Sequence, residues 1–119
     1  MEKHMKLSSC IHQFFHQYLE NIRGMSPNTI KSYRDAFKIF LPFAAKYYGI
    51  KIKSLRVEHI SSELIIAFLQ DLEQGRNNRP KTRNIRLNTL KSFAKMIRLM
   101  HPDHRELAQR IINISKKRF

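Results

Sequence analysis

The sequence predicts an all-α fold, a compact bundle of four to five helices, on three observations. Apolar residues recur every three or four positions through five segments, Ser-Pro, Asp and Gly residues stand where helices start and stop, and no run alternates convincingly enough to make a strand. At 119 residues and 42% hydrophobic, the chain can build the core of one domain and is too short for two of ordinary size.

The first helix is expected from about Ser9 to Arg23, where Ile11, Phe14, Phe15, Tyr18, Leu19 and Ile22 form an apolar stripe and Gly24 is placed to end it. The second opens on the best local signal in the chain. Ser26 can cap, Pro27 suits the first helical position, and Met25 with Ile30 forms a hydrophobic staple. Ile30, Tyr33, Phe37, Leu41, Ala44 and Tyr48 then share one side, with Asn28, Lys31, Ser32, Asp35, Lys38 and Lys46 opposite. Pro42 predicts a kink or a restart before Gly49.

A connector follows from Ile50 to Glu58, whose Ile-Lys alternation admits a short strand without an obvious partner. The third helix starts at Ser61 or Ser62 and runs to about Glu73, packing Leu64, Ile65, Phe68, Leu69 and Leu72. Glu63, Asp71 and Glu73 make it the most acidic element and point it away from any polyanion. Gly75, Asn77 and Asn78 lead into a fourth helix that ends near Met100 and is capped by either Arg79 or Thr82. Asp103 is expected to cap a fifth helix running through Ile114.

A formal net charge of +14 exceeds what solubility needs, so a polyanionic partner is expected: DNA, RNA or an anionic membrane. Membrane is the weakest of these, because the uncharged stretch Ile39 to Ala45 is far below the roughly 20 apolar residues of a spanning helix. Residues 1–10 lack the apolar core of a secretory signal and the single Cys10 cannot form an internal disulfide, which points to an intracellular protein. Residues 1–8 are assigned to a disordered or cloning-derived N-terminus.

Between Gln74 and Pro102 there is no acidic residue. Lys81, Thr82, Arg83 and Arg86 crowd the start of the fourth helix, and Asn84, Asn88, Lys91, Lys95 and Arg98 fall within an arc of about 80°. Ordinary solvated helices mix signs to form i, i+4 pairs, so nucleic-acid contact is the favoured reading of this face. Thr29 and Thr82, near helix N-termini, can help hold phosphates, and Lys31, Lys38, Lys91 and Lys95 add sequence-independent attraction. Arg83, Arg86, Asn84 and Asn88 carry the forked groups that read guanine or adenine edges.

Catalysis finds no support in the residues, which include no Gly-rich phosphate loop, no Gly-x-Ser-x-Gly and no His-Glu-x-x-His. His12 and His16 with Cys10 nearby, or His101 and His104, offer at most two dependable ligands each where zinc needs three or four, so neither a metal nor a cofactor is expected. Tyr18, Tyr33, Tyr47 and Tyr48 read as core.

The order Phe14 to Leu19, Ser26-Pro27-Asn28-Thr29-Ile30 with Tyr33 and Phe40, Ile60 to Leu72, and Lys81-Thr82-Arg83-Asn84 with Leu87, Leu90 and Phe93 resembles the N-terminal core-binding domain of tyrosine recombinases, the phage integrase family. The likeness covers about Ile11 to Phe119. It implies a SAM-like helical bundle at residues 9–115, forming one jaw of a clamp on duplex DNA, with residues 116–119 opening the linker to a C-terminal catalytic domain. In relatives that domain supplies an Arg-rich pocket and the Tyr that forms a 3′-phosphotyrosine. No His-x-x-Arg occurs here and the four tyrosines fall on packing stripes, so no catalytic role is carried to any residue.

By position the resemblance nominates Thr29, Lys31, Ser32 and Lys38 on the second helix and Lys81, Thr82, Arg83, Asn84, Arg86, Asn88 and Lys91 on the fourth as DNA contacts. Its implied partners are duplex DNA, the catalytic domain of the same parent chain and further recombinase protomers on DNA. The isolated domain is expected to be monomeric and cytoplasmic, in a bacterial or phage, nucleoid-associated setting, with no membrane partner. Two rival readings of the residues remain: a stand-alone helical transcriptional regulator that binds its operator as a dimer, and a basic RNA-binding bundle.

Overall fold

The structure is a computed structural model that describes residues 5–116. Its elements are α1 (Leu7–Gln13), which continues as a π-helical stretch over Phe14–Ile22, then α2 (Pro27–Tyr48), α3 (Ser62–Gln74), α4 (Pro80–Met100) and α5 (Arg105–Ile112). Short 3₁₀ turns occupy Ile52–Ser54, Val57–His59 and Pro102–His104. Among the described residues there is no strand and a single isolated antiparallel bridge, Lys6 with Arg56, so the all-α expectation holds.

The chain divides into two compact units, the first ending at His59 and the second starting at Ile60. In the first unit α1 begins two residues earlier than its periodicity suggests. The Leu7 N–H donates to the Leu55 carbonyl at 3.0 Å, and the Val57 N–H donates to the Met5 carbonyl at 3.0 Å. Residues 5–8, expected within a disordered N-terminus, are thus tied to the connector, while residues 1–4 lie outside the described residues. The assignment of residues 116–119 to a linker also falls outside them, apart from Lys116.

The aromatic residues make the core of this unit. The Phe14 ring lies 5.2 Å from Phe15, 5.9 Å from Tyr18 and 6.0 Å from both Tyr33 and Phe37, so one side chain links the π-helical stretch to α2. Such ring pairs add to the area they bury when edges meet faces or stacks are offset. The π-helical winding also corrects the predicted stripe. The Arg23 N–H donates to the Tyr18 carbonyl, five residues back. Seven residues make about two turns of an α-helix but fewer of this wider helix. Ile22 is therefore rotated off the Phe15 side and is 54% exposed, whereas Phe14, Phe15, Tyr18 and Leu19 stay buried.

Ser26 caps α2 as expected, its hydroxyl oxygen accepting the Thr29 N–H at 3.2 Å, and Gly49 ends it with φ 68°. No restart occurs at Pro42, which lies inside one continuous helix. Both Pro42 and Lys38, whose carbonyl loses its helical donor there, are exposed, so water can satisfy that carbonyl. Tyr47, expected in the core, is half exposed. The connector forms a 3₁₀ turn instead of a strand, and the Tyr48 hydroxyl donates to the His59 carbonyl at 2.5 Å.

The second unit is built from α3, α4 and α5. Ser61 is the cap of α3, its hydroxyl oxygen accepting the Leu64 N–H at 3.1 Å. Leu64, Ile65, Phe68, Leu69 and Leu72 are buried from α3, as are Leu87, Leu90, Phe93, Ala94, Met96 and Ile97 from α4 and Ala108 and Ile111 from α5. The chain leaves α3 through Gly75, where a Cβ would stand 2.8 Å from Asp71 Oδ1 and 3.0 Å from the Asp71 carbonyl oxygen. Asn77 then takes a left-handed φ of 56°. Asp103 does not cap α5; it sits in the 3₁₀ turn before it, and the helix ends at Ile112.

Phe14→Ala should destabilise the protein by about 3–5 kcal/mol, because it empties a fully buried site ringed by aromatics that cannot all collapse into the gap. Urea denaturation measures this. A loss below about 1 kcal/mol would show that the Phe14 cluster does not hold this unit together.

Candidate nucleic-acid interface

The candidate residues lie on two helices, one in each unit. On α2, the Ser26 hydroxyl donates to Thr29 Oγ1 at 3.1 Å while accepting the Thr29 N–H, which leaves the half-buried Thr29 free to donate its own O–H. Lys31 is exposed and Ser32 half-buried. Lys38 is exposed and stands 4.0 Å from Asp35 Oδ1, a surface pair of the kind that contributes little. Sequence reasoning missed Arg34. It lies between Lys31 and Lys38 at helical spacing, is exposed, and holds its guanidinium 5.5 Å from the Phe15 ring centroid. The signal was available as basic residues at i, i+3 and i+7.

On α4, Arg79 is the N-cap, which settles the choice left open with Thr82, and its side chain makes no cap hydrogen bond. Lys81 is exposed and Thr82 half-buried. The residues that follow part company with the sequence reading. Asn84 is only 8% exposed, so it presents no edge to an outside base. Arg83 Nε approaches Glu73 Oε1 of α3 at 2.6 Å, and its Nη1 donates to Asn84 Oδ1 at 3.1 Å. The Nε contact is close but its N–H makes no aligned hydrogen bond, so Coulomb attraction holds it. Glu73 therefore faces a cation of α4.

Arg86 is half-buried, and its Nε is shielded from solvent without a hydrogen-bond partner. Asn88 and Lys91 are half-buried, and Lys95 is exposed. Burial lowers the Lys91 pKa below its usual 10.5, and the charges of Lys116 and Lys95 lower it further. Lys116, which sequence reasoning left in the linker, is thus part of the same basic cluster. At the far end Arg98 Nη1 donates to Gln109 Oε1 of α5 at 2.9 Å.

The line of α4 that faces solvent runs Lys81, Ile85, Asn88, Ser92, Lys95 and Leu99, with Ile85 and Leu99 40% and 64% exposed. The arc read from sequence is centred about 60° from it round the helix. Lys81, Asn88, Lys91 and Lys95 are accordingly the predicted and neighbouring residues that a surface ligand reaches directly.

In the first unit an apolar recess of about 360 Å³, lined by Leu7, Ser8, Ile11, Leu41, Ile52 and Lys53, brings no pair of titratable groups together. The His12 and His16 rings lie 4.3 Å apart, but no group of three His, Cys, Asp or Glu residues converges among the described residues. No helix among them is long and apolar enough to cross a membrane.

A shifted Lys91 fixes the sign of one pH effect. Its folded pKa is lowered, so the penalty for keeping it charged is fully present at neutral pH and fades as pH rises through the folded value toward 10.5. Lys91→Met should therefore raise the melting temperature of the free protein at neutral pH and low salt. The repulsive part of that gain should shrink in about 1 M salt, where charge interactions are screened to short range, and the whole gain as the pH approaches 10.5. A lower melting temperature for the variant at low salt would contradict the penalty that burial and repulsion place on this charge.

The phage integrase N-terminal SAM-like domain family matches residues 11–100. Among curated proteins, "Putative integrase/recombinase y4rC" of Sinorhizobium fredii (strain NBRC 101917 / NGR234) is 39% identical over 119 residues, covering 100% of this chain and 36% of its own length. "Putative integrase/recombinase y4rD" of the same organism is 36% identical over 118 residues, covering 99% of this chain and 42% of its own length. The chain thus spans well under half of these relatives, and no solved structure matches it. The match across most of the chain, on an all-helical structure, shows that this chain belongs to the phage integrase N-terminal SAM-like domain family.

Proposed function

We propose that this chain is the DNA-binding module of a site-specific tyrosine recombinase, gripping duplex DNA at the recombination site while strand exchange is performed by a C-terminal catalytic domain outside these residues. The observation that carries the reading is α4. In a chain of an integrase family, it exposes Lys81 and Lys95 with Lys91 and Lys116 close by, and contains no carboxylate to balance them. The relatives' names support recombination, and their greater length leaves room for the catalytic part.

On this reading the α2 ridge of Lys31, Arg34 and Lys38 and the α4 cations meet phosphates, with the Thr29 hydroxyl as an added donor. Asn88 is the amide fork best placed to read a base edge, since Asn84 is buried. Residues 9–115 form the binding domain, and further protomers assemble on the same DNA. The protein works in the cytoplasm, where the DNA is, and the isolated domain is a monomer.

Binding to a short duplex, followed by fluorescence anisotropy across a salt series, tests the reading. Affinity should fall linearly on a log-log plot, with a slope of about −0.9 per phosphate neutralised. Lys81→Ala and Lys95→Ala should each weaken binding and reduce the slope by about 1, without lowering the melting temperature. A slope near zero would refute the basic face. Structured RNA outcompeting duplex at the same salt would install the RNA-binding reading in its place.

A further inference from the structure

Arg83 and Glu73 each sit at an awkward end of a helix. Glu73 lies in the last turn of α3, where the carbonyl dipoles repel an anion and no basic residue of that turn offsets it. Arg83 lies just inside the start of α4, where the dipole disfavours a cation. Neither helix is stabilised by its own charge here. What brings the two charges together is each other, at 2.6 Å, with side chains that are 13% and 27% exposed.

Three further observations bear on what this contact is for. Arg83 Nε makes no aligned hydrogen bond, so its own contact with the Glu73 carboxylate is Coulombic and can be met by another anion. Its Nη1 donates to Asn84 Oδ1 on its own helix, a bond that does not involve the Glu73 carboxylate. One turn further along the same face, Arg86 Nε is shielded from water and has no acceptor. Two guanidinium groups on one face thus lack a well-aligned oxygen at Nε. A phosphodiester offers oxygens with the geometry that guanidinium forks take, and its charge equals that of the carboxylate it would replace.

The geometry points to Glu73 as an internal stand-in for a DNA phosphate: in the free protein it masks Arg83, and a phosphate of bound duplex displaces it to sit against Arg83 and Arg86. This rests on the DNA-binding reading above and adds to it a residue that sets affinity without touching DNA. Because the exchange swaps one monoanion for another beside an already shielded cation, most of the desolvation of Arg83 is complete before DNA arrives. Arg83 is then a contact that costs little to engage, and Glu73 is the competitor that weakens it.

Duplex binding is measured across a salt series for the wild type, Glu73→Gln, Arg83→Met and the double variant, with melting curves for each. Glu73→Gln should bind about five- to tenfold tighter, the scale of one charge-assisted contact, and its salt slope should steepen by about one phosphate. In the Arg83→Met background the same change should give no gain. An equal gain in both backgrounds would mean only that a negative charge had been removed from the neighbourhood, and would overturn the exchange. So would a folded Glu73→Gln protein that binds no tighter than wild type.

Should Glu73→Gln fail to fold, NMR of the wild-type protein decides. Adding duplex should move the Glu73 side-chain carboxylate signal toward that of a solvated glutamate. If that signal stays fixed while α4 amides shift, the pair is a structural pin and the exchange is wrong. Loss of the broader reading looks different, since a wild-type protein that binds no duplex at any salt removes both, whereas binding without an Arg83-dependent gain removes the exchange alone.

Discussion

A helix that carries Lys81, Arg83, Arg86, Lys91, Lys95 and Arg98 and no carboxylate cannot form the i, i+4 ion pairs that ordinarily balance an exposed helix, so every cation on α4 must be accommodated from outside it. Each is handled differently. Arg83 is met by Glu73 from α3, and Arg98 by the neutral amide of Gln109 from α5. Lys91, half-buried beside Lys95 and Lys116, holds its proton less tightly than a free lysine. Lys81 and Lys95 stand in water. The net result is a surface whose positive charge is not cancelled by its own protein, and the packing of α3 and α5 around α4 determines which cations remain available.

Much of this architecture was legible because it rests on local rules. Ser26 and Ser61 cap the helices they were expected to cap, since a hydroxyl followed by an apolar periodic run has few other uses. The stripes of α3 and α4 were readable for the same reason, as burial follows a fixed period in a regular helix. Where the period changes, the reading fails. The π-helical stretch after Gln13 keeps Phe14, Phe15, Tyr18 and Leu19 inside but turns Ile22 outward, and nothing in residue type marks that change of winding. At Pro42 the expected alternative of a restart is excluded, since the helix runs on through it with the orphaned Lys38 carbonyl on an exposed residue.

The binding face was legible in its charge and less so in its detail. An absence of acids along a segment survives any small error in helix phase, whereas the assignment of Asn84 as a base reader did not. An Asn at a half-polar position can point either way, and its burial depends on how far α4 is rotated, a tertiary matter. Glu73 was invisible as a partner because it lies ten residues before Arg83 across a loop, and it takes the close turn at Gly75 and the left-handed Asn77 to bring the two helix ends into contact. Arg34 was overlooked although readable, since with Lys31 and Lys38 it makes a basic ridge at i, i+3 and i+7 that needs no tertiary information.

On the DNA-binding reading, the repulsion that adds to the cost of burying Lys91 in the free protein would strengthen its response to a polyanion. Burial first, and then the charges of Lys116 and Lys95, raise the cost of protonating Lys91 in the free state; approaching phosphates would relieve the repulsive part, so binding would restore proton affinity there and add to stability together. On the same reading, linkage requires that anything stabilising the charged cluster in the free protein, such as screening salt, reduce what DNA would have left to contribute. A family member that balanced α4 with its own carboxylates would fold more stably alone and bind less well. Glu73 takes that option within α4's reach, and its position at the ends of two helices, away from the middle of the exposed line, keeps its pairing to Arg83 and leaves Lys81 and Lys95 exposed.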